Sequence, residues 1–251
     1  MDAANKTIRK VFRHVFVLFA CLPITWNLAV HAEDGFRLRQ LSCTTGTHYV
    51  LVSRNFFKVE LPNSSLIITS TAPKWNVLTY NTRSKLYCET PLKDFKASYI
   101  NNTTQIQLTE LAMLQEIAAK QRARKIGGND YIEYPLMIDQ DQTWPAFAGA
   151  KGARLVVLAD PHLPKAAGKI LKRICGLNSI KTDQVPIKVE VLTKDGTVSR
   201  YLRTIAGSHI AHVETEVTPK GYTRVAKEFD VIRDKQMQSD IKEILDASDH
   251  K

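Results

Sequence analysis

The chain is 251 residues long and 44% hydrophobic, enough to bury a sizeable core as one domain or two small ones. Its 35 Lys and Arg against 25 Asp and Glu give a formal net charge of +10, which disfavours basic partners and favours anionic ones. No apolar run beyond Val30 approaches the roughly 20 residues of a transmembrane helix, and the four cysteines form no CxxC spacing, which argues against thiol exchange and a structural zinc site.

The first element is an address. Lys6, Arg9, Lys10 and Arg13 precede an apolar run from Val15 to Val30, which is interrupted by Pro23, Thr25 and Asn27 and ends in Val30-His31-Ala32. A basic start, a short apolar middle and a small-residue exit make a secretory signal peptide. Cleavage is expected between Ala32 and Glu33, leaving residues 33–251 as one exported domain, periplasmic or secreted. Two other readings stay open. Leu18-Phe19-Ala20-Cys21 resembles a loose lipoprotein box with Cys21 as the acylated residue, and the run left uncut would be an anchor. The residues after Ala32 remain basic, which suits anionic headgroups or envelope polymers; for an exported chain nucleic acid is not expected.

The next third predicts a meander of short strands. HYVLVS, FFKVEL, SLIITS, WNVLTYN and SKLYCE are rich in β-branched and aromatic residues and are separated by turn signals. Phe57, Val59 and Leu61 alternate with Lys58 and Glu60, so one face is covered and the other wet. Leu108, Leu111, Leu114, Ile117 and Ala118 then recur at helical spacing, and Lys120, Arg122, Arg124 and Lys125 suit the negative end of that helix.

ARLVVLA, Ala153 to Ala159, predicts another strand. A helix follows, opened by Pro164 and closed by Gly176, with Ala167, Ile170, Leu171, Ile174 and Cys175 on one stripe and its lysines in solvent. PIKVEVLTKDGTVSRYLRTI predicts a hairpin around Asp195-Gly196, HIAHVETEV a further strand, and Val231 to Ala247 a polar amphipathic helix. The order predicts an α+β fold: an antiparallel β-sheet with helices packed on one face.

With Cys21 removed, three cysteines remain. Cys175 lies on a predicted helical core stripe, so Cys43 and Cys88 are the expected disulfide pair. The sequence offers little for catalysis. His209 and His212 are three apart on a predicted strand and point to opposite faces, and there is no HExxH, no G-x-S-x-G and no P-loop. No cofactor or metal is expected, and the chain reads as non-enzymatic. Glycosylation sequons stand at Asn63, Asn101 and Asn102.

YVLVSRNFFKVELPNSSLIITSTAPKWNVLTYNTRSKLYCETPLKDF, the hairpin from Pro186, and the Pro219-x-Gly221-Tyr222 turn resemble the bacterial lipoprotein-carrier superfamily of exported proteins. The resemblance implies a strongly curved antiparallel sheet, an unclosed half-barrel lidded by helices, that holds a lipid, an acyl chain or another apolar ligand. Phe57, Val59, Ile68, Trp75, Val77 and Tyr80 are the expected cavity lining. The alternative is an envelope interaction module with a self-filled core, whose basic surface binds a polyanionic or protein partner.

Overall fold

The computed structural model describes residues 34–97, 114–116, 121–126, 129–138, 150–211, 213 and 220–232, all within the unit Glu33–Lys251. Among these residues thirteen strands form one sheet. They are β1 (Gly35–Ser42), β2 (Gly46–Ser53), β3 (Phe56–Leu61), β4 (Leu66–Thr71), β5 (Val77–Asn81), β6 (Leu86–Thr90), β7 (Leu114–Glu116), β8 (Arg122–Ile126), β9 (Asn129–Ile138), β10 (Gly152–Leu158), β11 (Pro186–Leu192), β12 (Val198–Ile210) and β13 (Thr223–Arg224). The hydrogen-bonded order is β13-β6-β5-β4-β3-β2-β1-β12-β11-β10-β9-β7, with β8 also on β9. Every pairing is antiparallel except β13 on β6, and the two ends do not meet, so the sheet is not closed. Two helices, α1 (Lys165–Ile174) and α2 (Glu228–Ile232), accompany it.

The register follows from alternation, since a slip of one residue would turn every apolar side chain to water. Leu38 pairs with Val50, Val50 with Val59, and Val59 with Ile68, which collects one buried column on what we term the core face. Leu202, Val189 and Leu155 continue that face on the other side of β1. α1 adds Ala167, Ile170, Leu171 and Ile174 to the same core and packs on β3 and β11. Each large aliphatic side chain so buried contributes about 1.5–3 kcal/mol. Gly168 permits the close approach of the following segment: a Cβ there would lie 1.9 Å from the carbonyl oxygen of Asp183.

Several expectations change. The described part of the helix expected near Leu108–Ala118 is strand β7, paired with β9 and with Leu114 fully buried. A short apolar run fits either period, and the open edge of β9 decides. Arg122, Arg124 and Lys125 of the basic run after it lie on strand β8, where Arg124 reaches Glu133 at 2.8 Å; Lys120 lies outside the described residues. His209 and Ile210, which open HIAHVETEV, end β12, which runs for 13 residues through two bulges; His212 and residues 214–217 of that expectation lie outside the described residues. The C-terminal helix starts at Glu228 and is described to Ile232; the rest of that expectation lies outside the described residues. The lysines of α1 are not all in solvent. Lys172 is buried, because residues 177–185 fold back over the helix and supply acceptors: its Nζ donates to the Ile180 carbonyl at 2.7 Å and the Asp183 carboxylate at 3.3 Å. Arg173 donates likewise to the carbonyls of Leu92 and Phe95.

Candidate functional site

The expected cavity residues divide between the two sides of the sheet. Phe57, Val59, Ile68 and Val77 share the core face and are fully buried in the hydrophobic core with Phe95, Ile170 and Leu171. Trp75, in the turn between β4 and β5 with φ of 54°, is partly buried against that core. Tyr80 pairs with Ile67 and Tyr87 on the opposite face, where its ring meets Tyr222 edge-on at 5.5 Å. The cleavage residues Ala32 and Glu33 lie outside the described residues.

The expected Cys43–Cys88 disulfide is not formed. Cys43 lies in the turn between β1 and β2, whereas Cys88 is on β6, four strands from β2. Strand spacing alone separates them by roughly 19 Å, against the 7 Å or so that a disulfide spans between Cα atoms. Cys88 approaches Thr90 Oγ1 and the Ala226 carbonyl, and Cys175 is buried in the core. Burial pushes the Cys175 thiol far above its ordinary range, and the nearby Cys43 adds to the effect.

A buried polar cluster locks the strands in register. Gln40 and His48 are both fully buried. Gln40 Nε2 donates to the Pro186 carbonyl and to Thr204 Oγ1, each at 3.0 Å, and Thr204 Oγ1 donates to the Ile187 carbonyl at 2.9 Å. The amide oxygen of Gln40 therefore faces His48 Nε2 at 3.1 Å, which assigns the imidazole proton to Nε2. In the neutral ring Nδ1 then accepts from Thr45 Oγ1 at 3.0 Å; when the ring is protonated, Nδ1–H can donate to the Gly46 carbonyl 3.1 Å away. Burial holds His48 below the ordinary 6.5, opposed by the Gly46 carbonyl. A one-residue slip of β1 would take Gln40 away from Pro186, Thr204 and His48, so the cluster fixes Gln40 inward and Arg39 outward.

Arg37 and Arg39 are exposed on the face opposite the core, where Arg39 pairs with Tyr49 and Ala206. Arg203 stands opposite Leu41 on one side and Lys188 on the other, so it shares that face. The line continues through Lys188–Val156, Val156–Glu133 and Glu133–Arg122, and beside it run Pro135–Arg154, Arg154–Glu190 and Glu190–Arg200. The carboxylates here are spent. Glu190, with 5% of its side chain exposed, meets Arg154 at 2.7 Å, Lys188 at 2.9 Å and Arg200 at 3.4 Å; Glu133 meets Arg124 at 2.8 Å and Arg154 at 3.8 Å. Burial of Glu190 opposes its charge, but Lys188 and Arg154 outweigh burial and hold its carboxyl below the ordinary range. Arg37, Arg39 and Arg203 make no ion pair among the described residues. The strand rise puts the first two about 7 Å apart, close enough to repel.

Two open hollows lie on this face. One of about 290 Å³ is edged by Arg37, Tyr49, Leu51, Lys58 and Glu60, and one of about 380 Å³ by Glu133, Pro135, Arg154, Glu190, Leu192 and Val198. The arrangement can hold anions by charge-assisted hydrogen bonds from guanidinium groups. Among the described residues no group of three or more His, Cys, Asp or Glu side chains is placed to hold a metal. Sequence reasoning passed over Arg37, Arg39 and Arg203. The signal for the first two was present in FRLRQ, where arginines alternate with apolar residues at the period of a half-buried strand.

No protein-family model and no curated protein matches the chain. The crystal structure of an uncharacterized conserved protein from Thermus thermophilus is similar at a TM-score of 0.36 and 12% sequence identity, over 78% of this chain and 91% of that one.

Proposed function

We propose that the protein is an exported, non-enzymatic binding module that engages a polyanionic partner through the cationic face of its sheet. The observation that carries this reading is the cluster Arg37, Arg39 and Arg203, exposed and without ion pairs among the described residues, on strands whose carboxylates are already neutralised. Unneutralised cations at strand spacing repel one another, and an anionic partner removes that cost. Among the described residues α1 packs its apolar stripe into the core face, which supports binding through the opposite, charged face.

The interior reading places an apolar ligand in a strongly curved half-barrel among Phe57, Val59, Ile68 and Val77. Packing favours the surface over the interior, because these four side chains are fully buried with one another and with α1.

The test is binding of purified protein to inorganic polyphosphate across a salt series. Binding should weaken steeply with salt, because exposed charges are screened, and should be lost in Arg37→Ala/Arg39→Ala/Arg203→Ala. Salt-independent binding, or a triple variant that binds as well as the parent, refutes the reading. Native mass spectrometry of protein from its own host addresses the interior: a releasable lipid-sized adduct would favour the apolar-ligand reading.

A further inference from the structure

Charge alone does not describe this face. Among the described residues six large hydrophobic side chains are exposed: Tyr49, Met137, Leu192, Val198, Ile205 and Phe229. Four of the six share the face of the cations. Tyr49 pairs with Arg39, and Leu192 pairs with Val198 in register with the Glu190–Arg200 pair two residues away. Met137 has the outward parity of Glu133 and Pro135 on β9. A fifth, Ile205, is the extra residue of the bulge between β1 and β12, one position from the outward Ala206, and is 46% exposed. Only Phe229 belongs to another surface, on α2.

From this pattern we infer that the polyanion is the surface of an anionic lipid bilayer, on which the protein lies with this sheet face down. The inference rests on the proposed polyanion-binding function and names its partner. A soluble polyanion would neutralise the arginines and leave the aliphatic side chains in water. Single-stranded nucleic acid would call for aromatic platforms, and Tyr49 is the one aromatic among the five. A bilayer surface satisfies both sets at once: guanidinium groups take the headgroup phosphates, while Met, Leu, Val and Ile side chains enter the boundary between headgroups and acyl chains. The stems of the arginines are themselves apolar and lie along the same boundary. The face is broad enough for several headgroups. The strands from β3 through β9 are consecutive, and six spacings span roughly 29 Å.

The test is flotation with phosphatidylcholine vesicles with and without phosphatidylglycerol, run beside inorganic polyphosphate as the soluble polyanion. The apolar Val15–Val30 segment is common to all variants, so differences between them report the face. The parent should bind the phosphatidylglycerol vesicles more tightly than pure phosphatidylcholine, the excess being the contribution of the face. Arg37→Ala/Arg39→Ala/Arg203→Ala should weaken vesicle binding on the order of 100-fold, about five-fold per charge. Leu192→Ser/Ile205→Ser should weaken it about ten-fold or more while leaving polyphosphate binding unchanged. An unaltered melting temperature establishes that each variant is folded; Arg37→Lys/Arg39→Lys, which keeps the charge, should retain most vesicle binding. Polyphosphate binding without vesicle binding, or vesicle binding indifferent to Leu192→Ser/Ile205→Ser, overturns the bilayer inference and leaves the polyanion reading standing. Binding to neither probe overturns both.

Discussion

The two faces of this sheet are made by the same strands and obey different physics. On the core face Val50, Val59 and Ile68 are excluded from water; of the polar groups that enter, Gln40 and His48 have both ends hydrogen-bonded, while Ser70 Oγ is buried without a partner among the described residues. On the opposite face the side chains one residue away are Arg39, Tyr49, Lys58 and Glu60, and they remain wet. The contrast teaches that stability and binding are carried by alternate residues of one chain segment. Removing a core-face group should destabilise the protein, and removing an outward group should leave its stability nearly unchanged.

The largest effect should come from the centre of the core. Phe57→Ala should cost about 4 kcal/mol, because a ring with no solvent exposure leaves a cavity that its neighbours fill only in part. Denaturant unfolding with an unchanged m-value measures it, and a loss below about 1 kcal/mol would mean that the core is not packed as described. Next in size is Gly168→Ala, about 3 kcal/mol, since the new methyl meets the backbone of Asp183 at 1.9 Å and no flexible side chain can yield. In melting experiments Ala should be worse here than at Gly152, where an added Cβ meets nothing within 4 Å.

The buried cluster sharpens the comparison through pH. The folded value of His48 lies below its ordinary 6.5, so in the window between the two the unfolded chain binds more protons. This contribution to stability is complete above 6.5 and is lost as pH falls through 6.5 toward the folded value. A urea series across that window should show the slope, and His48→Gln should flatten it. The smallest effect belongs to the outward face. Arg37→Ala/Arg39→Ala should change stability by no more than about 0.5 kcal/mol, since neither side chain makes an ion pair among the described residues. A large loss of stability in that variant would break the division of labour between the faces.

Much of the framework was legible in the sequence because local patterns agreed with the fold. The strands β2 to β6, β10 and the β11–β12 hairpin follow period-two alternation and their turn residues, and α1 follows a stripe ended by Gly176 in the left-handed region, φ of 74°. Where the sequence misled, a non-local partner had the deciding vote. Leu114 belongs to a short apolar run that suits a helix as well as a strand, and it became a strand because the edge of β9 takes it. Cys43 and Cys88 were natural partners as the two cysteines off the helical stripe, yet they lie strands apart in the sheet. Lys172 reads as a solvated helix lysine until residues 177–185 close over it.

The candidate site shows the same limit. Arg37 and Arg39 were readable as one side of a half-buried strand. Their juxtaposition with Arg203 and Lys188, far along the chain, was not readable, because it depends on β12 entering between β1 and β11. The sequence by itself determined which residues alternate, where turns fall, and that the chain is basic, since these follow from backbone geometry and side-chain chemistry within a few residues. Only the tertiary structure decided that Arg37, Arg39 and Arg203 gather on one face with exposed aliphatic neighbours. That outcome is set by strand order and register across the whole sheet, where the burial of one face dictates what the other must present.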